Sequence, residues 1–216
     1  MKHTTAITFG LALLATPLLA DMPRPDGLSA LGDAPIPADN PMSPEKIALG
    51  EMLFFDPILS GNYDMPCSAC HLPDAGWAVQ APISFGYPGT THWRNSQTIV
   101  NSAYYGKLFW AGSSGSLEHQ ARSAARGGVA GNGDDWPNIR HAYDAIAAYE
   151  RTIVQTDTPF DKYMNGDDAA LSEAQVRGLE LFSGKANCTS CHTGPMLTDE
   201  KYYNLGVPPY SGWQED

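Results

Sequence analysis

The chain has 216 residues, which is room for one ordinary domain or two small ones. With 13 basic and 24 acidic side chains its formal net charge is −11, and this excludes binding to the phosphates of nucleic acids. Its 21 glycines and 17 prolines predict a loop-rich structure.

The N-terminus has the pattern of a secretion signal. A basic start precedes an apolar run over residues 6–19, and Ala20 suits the last position before cleavage, so we predict a signal peptide over residues 1–20. The run is short for a membrane span and contains Pro17, although an uncleaved anchor is the alternative. No other segment is apolar for long enough to cross a membrane, so we expect a periplasmic protein that is not integral to the membrane.

The first predicted helix follows a proline-rich segment. Residues 21–42 contain five prolines without periodicity, and we expect an extended lead-in rather than a packed element. The helix begins at Ser43, a good N-cap, with Pro44 at the first helical position. Its apolar stripe, which runs to Pro57, consists of Ile47, Leu49, Met52, Leu53 and Phe54.

Two further helices are predicted downstream. One spans roughly residues 137–154, and its apolar side is formed by Ile139, Ala142, Ile146, Tyr149 and Ile153. The other starts at a capping box and ends at Gly184, with an apolar face of Val176, Leu179 and Phe182. The capping box pairs Ser172 with Gln175. We expect residues 156–170, rich in Asp and Gly, to be a linker.

All four cysteines occur in two copies of the pattern Cys-x-x-Cys-His. In such a stretch the thiols form thioethers with the vinyl groups of a porphyrin, and the histidine becomes the proximal ligand of the iron. Two redox disulfides or one four-cysteine zinc site are the alternatives, but neither explains a histidine after both pairs. The pattern predicts two covalent haem c groups, held by Cys67, Cys70 and His71 and by Cys188, Cys191 and His192.

The helix before each motif shares further sequence, Gly50–Phe54 and Gly178–Phe182, which indicates a duplication. We therefore predict a mainly α, loop-rich fold with two cytochrome c-like haem domains. The N-terminal domain is expected at residues 43–155 and a partial C-terminal domain at residues 171–216.

Besides the two haem motifs, six longer stretches match one known family in order: Ala48–Ser60, Arg94–Thr98, Phe109–Gly112, Ser116–Ala121, Ala145–Thr152 and Pro159–Tyr163. Through these stretches the chain resembles the bacterial dihaem cytochrome c peroxidases, from about residue 44 to about residue 209. The same superfamily includes MauG-type enzymes, which oxidise a tryptophan on a partner protein.

The resemblance implies a division of labour between the haems. The first would bind and reduce hydrogen peroxide, and the second would receive electrons from a small donor protein, a cytochrome c or a copper protein. It also implies Trp110 as an electron relay, Gln120 as a polar residue on the peroxide side and Asn95 as a ligand of a calcium ion. The residue types alone leave simpler roles open, an ordinary buried aromatic for Trp110 and a turn residue for Asn95.

Several positions depart from the family. A catalytic glutamate is replaced by Ala130, and Glu118, the nearest substitute, is expected to be a solvated helix charge. The family's mobile distal histidine aligns with Tyr87, while His92 nearby is either a distal ligand or an exposed loop residue. We expect the remaining two central histidines, His119 and His141, at the surface.

The chain also ends at Asp216, before the segment that supplies the family's second distal ligand. Met196 lies too close to His192 in sequence to replace that ligand and is expected to pack in its loop. We therefore expect an incomplete second domain.

These patterns leave three hypotheses. The chain is a periplasmic peroxidase that reduces hydrogen peroxide with electrons from a small redox protein, a dihaem electron carrier without peroxidase activity, or a non-catalytic fragment. MauG-type oxidation of a protein tryptophan is less favoured, and the sequence does not choose between a monomer and a homodimer.

Overall fold

The structure, a computed structural model, describes residues 24–86, 94–127 and 139–208. These ranges contain five α-helices: α1 Pro44–Phe55, α2 Leu117–Arg126, α3 Ile139–Glu150, α4 Pro159–Met164 and α5 Glu173–Ser183. Short 3-10 helices and loops join them, and the β-pairing within the described ranges is limited to three isolated bridges. The prediction of a mainly α, loop-rich fold is confirmed.

Helix α1 begins as the sequence predicts, and of its predicted stripe Phe54 is buried while Ile47 and Leu53 pack against the core. The Ser43 side chain accepts a hydrogen bond from the Lys46 amide, which confirms the N-cap. The buried residues are Gly50 and Phe54, whereas Leu49 and Met52 are 40% and 64% exposed. The predicted stripe was therefore wrong at these two positions, because the helix turns its glycine toward the core.

Gly50 lies where α1 crosses α3. A Cβ atom built on Gly50 would lie 2.6 Å from the Ala145 carbonyl carbon and 2.8 Å from the Tyr149 Cβ. The two helix backbones approach so closely that no side chain fits between them. The core around this crossing consists of Phe54, Leu59, Ile99, Ala121, Ala125, Tyr143, Ile146, Tyr149 and Ile153.

Helix α3 is the most deeply buried element. It was predicted with one apolar side, but every residue from Ala145 to Glu150 is buried, because α1 and α2 both pack against it. Ile153 is buried as predicted but lies beyond the helix end. Pro137, the predicted start, is outside the described residues.

The predicted linker is more ordered than expected, since it contains α4, whose Tyr163 is fully buried. The lead-in packs against this helix, because Arg24 Nε donates to the Tyr163 carbonyl at 2.7 Å and the Leu31 amide donates to Asp161 at 2.8 Å. The expectation of an unpacked lead-in was wrong, since Leu28 and Asn40 are buried.

Helix α5 confirms its prediction. Ser172 and Gln175 form the capping box, Val176 is buried, and Gly184 is the C-cap. Among the described residues no helix is long and apolar enough to cross a membrane. The predicted signal peptide lies outside those residues.

Candidate functional site

Both Cys-x-x-Cys-His motifs adopt the same backbone conformation. Each begins with a 3-10 helix, at Cys67–Ala69 and at Cys188–Ser190. The His71 amide donates to the Cys67 carbonyl at 3.0 Å, and the His192 amide donates to the Cys188 carbonyl at 2.9 Å. The similarity supports the predicted duplication.

The two histidine rings are oriented in the same way. His71 Nδ1 lies 3.2 Å from the Trp77 carbonyl oxygen, and His192 Nδ1 lies 3.0 Å from the Leu197 carbonyl oxygen. Trp77 and Leu197 both have left-handed backbones, with φ of 61° and 53°. When Nδ1–H donates to a carbonyl, the lone pair of Nε2 is left to ligate a metal.

The first motif opens into a cavity of about 570 Å³, within the range of about 300–1,000 Å³ typical of ligand sites. Cys67, Cys70 and His71 line one part of it, and α2 and α3 contribute Leu117, Gln120, Ala121, Ala124, Ala125, Ile146 and Glu150. Two of its lining atoms, Ser102 Oγ and Glu150 Oε2, are buried and have no hydrogen-bond partner among the described residues. A mostly apolar cavity beside two thiols and an imidazole fits a covalently held porphyrin.

The ionisation of the first motif agrees with this fit. Burial lowers the pKa of His71, so its ring is neutral at neutral pH, as a metal ligand must be. Burial, with a smaller contribution from the Glu150 carboxylate, raises the pKa of Cys67 to about 12. All four cysteines are free, and the described residues contain no group of three or more His, Cys, Asp or Glu that could hold a metal ion. The geometry therefore favours neither disulfides nor a zinc site.

The second motif is more open than the first. His192 is exposed, and its ring centroid lies 6.1 Å from that of Phe182 on α5. The chain after it folds back, since the Asp199 amide donates to the Cys191 carbonyl at 3.0 Å. Tyr203 Oη donates to Asp199 at 2.6 Å, and this hydrogen bond raises the pKa of Tyr203 to about 12. Met196 lies half-buried in the turn between these points.

A loop contact joins the surroundings of the two motifs. The Gly106 amide donates to Glu200 Oε1 at 3.0 Å, and Lys107 Nζ donates to the Glu200 carbonyl at 2.7 Å. Lys107 also lies over the Tyr202 ring, 5.2 Å from its centroid. The segment after the second motif therefore rests on the loop that leads to Trp110.

Trp110 is not an ordinary buried aromatic, because it is 50% exposed and lines the first cavity. Its Nε1 donates to the Asn95 carbonyl at 2.7 Å. The Asn95 amide nitrogen donates to the carbonyls of Val79 and Ala81. Trp110 and Asn95 are thus neighbours at the cavity edge.

Glu118 was expected to be a solvated charge, and this expectation was wrong. Its Oε1 accepts from Arg151 Nη2 at 2.7 Å and from Asn40 Nδ2 at 2.7 Å, and its side chain is only 20% exposed. Burial alone would raise the pKa of Glu118, but the hydrogen bond from Asn40 and the charge of Arg151 outweigh burial and lower it. Glu118 does not line the cavity.

Of the remaining predicted positions, two lie among the described residues and three do not. His119 and His141 are exposed, as predicted, and His119 Nδ1 lies 2.9 Å from Ser114 Oγ. Tyr87, His92 and Ala130 lie outside the described residues, so their predicted roles stay predictions.

The sequence analysis missed Glu150. It is 5% exposed and lines the cavity, and burial raises its pKa to about 8. A signal was present, because Glu150 lies four residues after the core residue Ile146 and so on the same face of the helix.

Comparisons with known proteins identify the family of the chain. The model of the di-haem cytochrome c peroxidase family matches residues 44–132. Cytochrome-c peroxidase IdrP1 of Denitromonas iodatirespirans is 50% identical over 100% of the chain, which spans 65% of that relative. Cytochrome c551 peroxidase of Pseudomonas aeruginosa is 32% identical over 96% of the chain and 69% of the relative.

A solved structure shows the same fold. The chain superposes on a MauG-like protein associated with microbial copper homeostasis with a TM-score of 0.71 and 30% identity, covering 79% of this chain and 58% of that one. The chain spans less than two thirds of the length of this structure and of IdrP1. On this evidence the chain belongs to the di-haem cytochrome c peroxidase family.

Proposed function

We propose that the chain carries two covalently bound haem c groups and reduces hydrogen peroxide to water with electrons from a small redox protein. The single observation that carries the proposal is the cavity of about 570 Å³, which brings Cys67, Cys70 and His71 together with Gln120 and Trp110. The relatives named cytochrome-c peroxidase support the same reaction.

At the first site the haem iron would supply the redox centre at which the peroxide bond is cleaved. His71, held through Nδ1 by the Trp77 carbonyl, would hold the iron through Nε2. Gln120 lines the same cavity, and its amide would donate a hydrogen bond that orients peroxide.

We assign electron entry to the second motif because His192 is exposed to an approaching partner. The contact of Glu200 with Gly106 and Lys107 connects that motif to the Trp110 loop, which supports Trp110 as the relay. With a net charge of −11, the chain should favour a donor, a cytochrome c or a copper protein, that presents a basic patch.

Two further parts of the proposal concern export of the protein and a calcium ion. The basic and apolar start of the chain supports export to the periplasm, where haem c is attached. Asn95 stays the candidate calcium ligand, and since its amide nitrogen is occupied by Val79 and Ala81, its side-chain oxygen is the ligand atom.

The test is steady-state peroxide turnover by the haem-loaded protein with a reduced donor protein. Replacing Gln120 by leucine should lower kcat/KM for peroxide about 100-fold, because a preorganised donor is lost, with haem content unchanged. Gln80→Leu, at an exposed position outside the cavity, is the matched control and should keep wild-type turnover. Wild-type turnover no faster than that of free haem would contradict the proposal and favour the electron-carrier hypothesis.

A further inference from the structure

Glu150 occupies an unusual position for a carboxyl group. It lies in the last turn of α3, is 5% exposed, and lines the cavity of the first haem motif together with Cys67. Its Oε2 has no hydrogen-bond partner among the described residues. A buried carboxylate oxygen without a partner is costly, so the charge of this group depends strongly on its surroundings.

The neighbouring arginine does not neutralise Glu150 through an ion pair. Arg151 Nη2 binds Glu118 at 2.7 Å, and Arg151 Nε and Nη1 have no partner within the described part of the chain. The Arg151 charge lowers the pKa of Glu150, but burial raises that pKa by more. Glu150 is therefore left to respond to charge inside the cavity.

The other charges near Glu150 are few. Arg151 follows Glu150 just beyond the end of α3, and α2 contributes Glu118. The remaining titratable groups of the cavity lining are Asp56, Cys67, Cys70, His71 and Arg94. Asp56 is exposed and accepts a hydrogen bond from the Ile58 amide, and the two cysteines lose their titratable protons when they form thioethers. Among the described carboxyl groups of the cavity, Glu150 is thus the buried one that can exchange a proton.

We infer that Glu150 is a redox-linked proton site, which binds one proton when the iron of the first haem accepts one electron. In this step ferric iron becomes ferrous, the electron comes from the donor protein, and a proton from water converts the Glu150 carboxylate to the neutral acid. Ferric haem carries one more positive charge than ferrous haem, so reduction removes the charge that favours the carboxylate. The inference rests on the haem attachment in the proposed function but not on peroxide turnover.

The test is a potentiometric titration of both haems from about pH 5 to about pH 9, an interval that spans a buried carboxyl group's range. A full coupling of one proton to one electron shifts the midpoint potential by about 59 mV for each tenfold change in proton concentration. In Glu150→Gln the midpoint potential of the first haem should depend less on pH, by up to this slope. The midpoint potential of the second haem should keep its wild-type pH dependence. Glu51→Gln, which removes an exposed carboxylate from α1, is the matched control and should keep the wild-type slope.

A second measurement observes the proton on the carboxyl group directly. The infrared difference between reduced and oxidised wild-type protein should contain the carbonyl band of a newly protonated carboxylic acid, and this band should be absent from Glu150→Gln. An unchanged slope in Glu150→Gln, or a wild-type spectrum without the band, would overturn the inference. A haem-loaded protein with the slope difference but without peroxide turnover would support the inference and contradict the proposed function.

Discussion

Glu118 and Arg151 form an ion pair in which Arg151 is only 5% exposed. Removing one partner of such a pair leaves a buried charge without compensation. Replacing Glu118 by glutamine should therefore lower the free energy of unfolding by about 3 kcal/mol, the low end for buried pairs, because Glu118 keeps some contact with water. Denaturant unfolding at neutral pH measures this loss.

The matched control is Glu173→Gln, which removes the corresponding carboxylate from an exposed pair with Arg177 on α5. We expect this variant to unfold like the wild type. Equal stabilities for the two variants would contradict a structural role for the Glu118–Arg151 pair.

The buried carboxyl group of Glu150 should make the fold less stable as the pH rises. A carboxylate with a lowered pKa has the opposite effect. Its pKa is raised from 4.5 to about 8, so the folded chain binds this proton more tightly than the unfolded chain. The free energy of unfolding should fall as the pH rises between these values, by at most about 1.4 kcal/mol for each pH unit. Denaturant titrations across the interval, with the haem reduced so that no ferric charge favours the carboxylate, should show the fall in wild type and not in Glu150→Gln. Parallel curves would contradict the assignment.

Single residues were predicted from the sequence where their interactions are local. The Ser43 cap and the Ser172–Gln175 capping box join residues three apart, so local spacing was enough. Glu118 was mispredicted because its partners, Asn40 and Arg151, lie far away along the chain. A local sequence pattern does not predict which distant side chain will contact a helix residue.

The crossing of α1 and α3 depends on one glycine. Gly50→Ala should lower the free energy of unfolding by about 3 kcal/mol or more, because its Cβ would meet the backbone at Ala145 and neither helix can move alone. Gly178 holds the equivalent place in α5, with no atom within 4 Å of a Cβ built there. Gly178→Ala should instead raise stability by about 0.5–1 kcal/mol, since alanine favours helix.

Thermal unfolding of these two variants tests how closely α1 packs against α3. A melting temperature lowered in Gly50→Ala and raised in Gly178→Ala is the expected pattern. A Gly50→Ala protein as stable as the wild type would show that the two helices do not cross as closely as described.

At the level of elements, helix positions were predicted better than helix surroundings. The existence of α1, α3 and α5 followed from caps and periodicity, but the burial of α3 on all sides did not, because periodicity reports one face only. Helix α4 was missed since its six residues are too few for a periodic signal.

At the scale of the whole molecule, the two motifs were identifiable because haem attachment needs a fixed local spacing, whereas the cavity is assembled from distant segments. Its walls come from residues 56–71, Ser84, residues 94–113, α2 and α3, so its size could not be predicted from the sequence. The spacing of Glu150 from Ile146 indicated a shared helix face but not the cavity. The contact of Lys107 with Glu200 and Tyr202, which joins the two motifs, is equally long-range.

The central claim is that two haem groups are bound covalently to this polypeptide. The most direct test is intact-mass spectrometry of the purified, exported protein together with its pyridine haemochrome spectrum. The account predicts a mass increase of two haem groups per chain, reduced to one when Cys67 and Cys70 are both replaced by serine and likewise when Cys188 and Cys191 are. A colourless protein without added mass would contradict it.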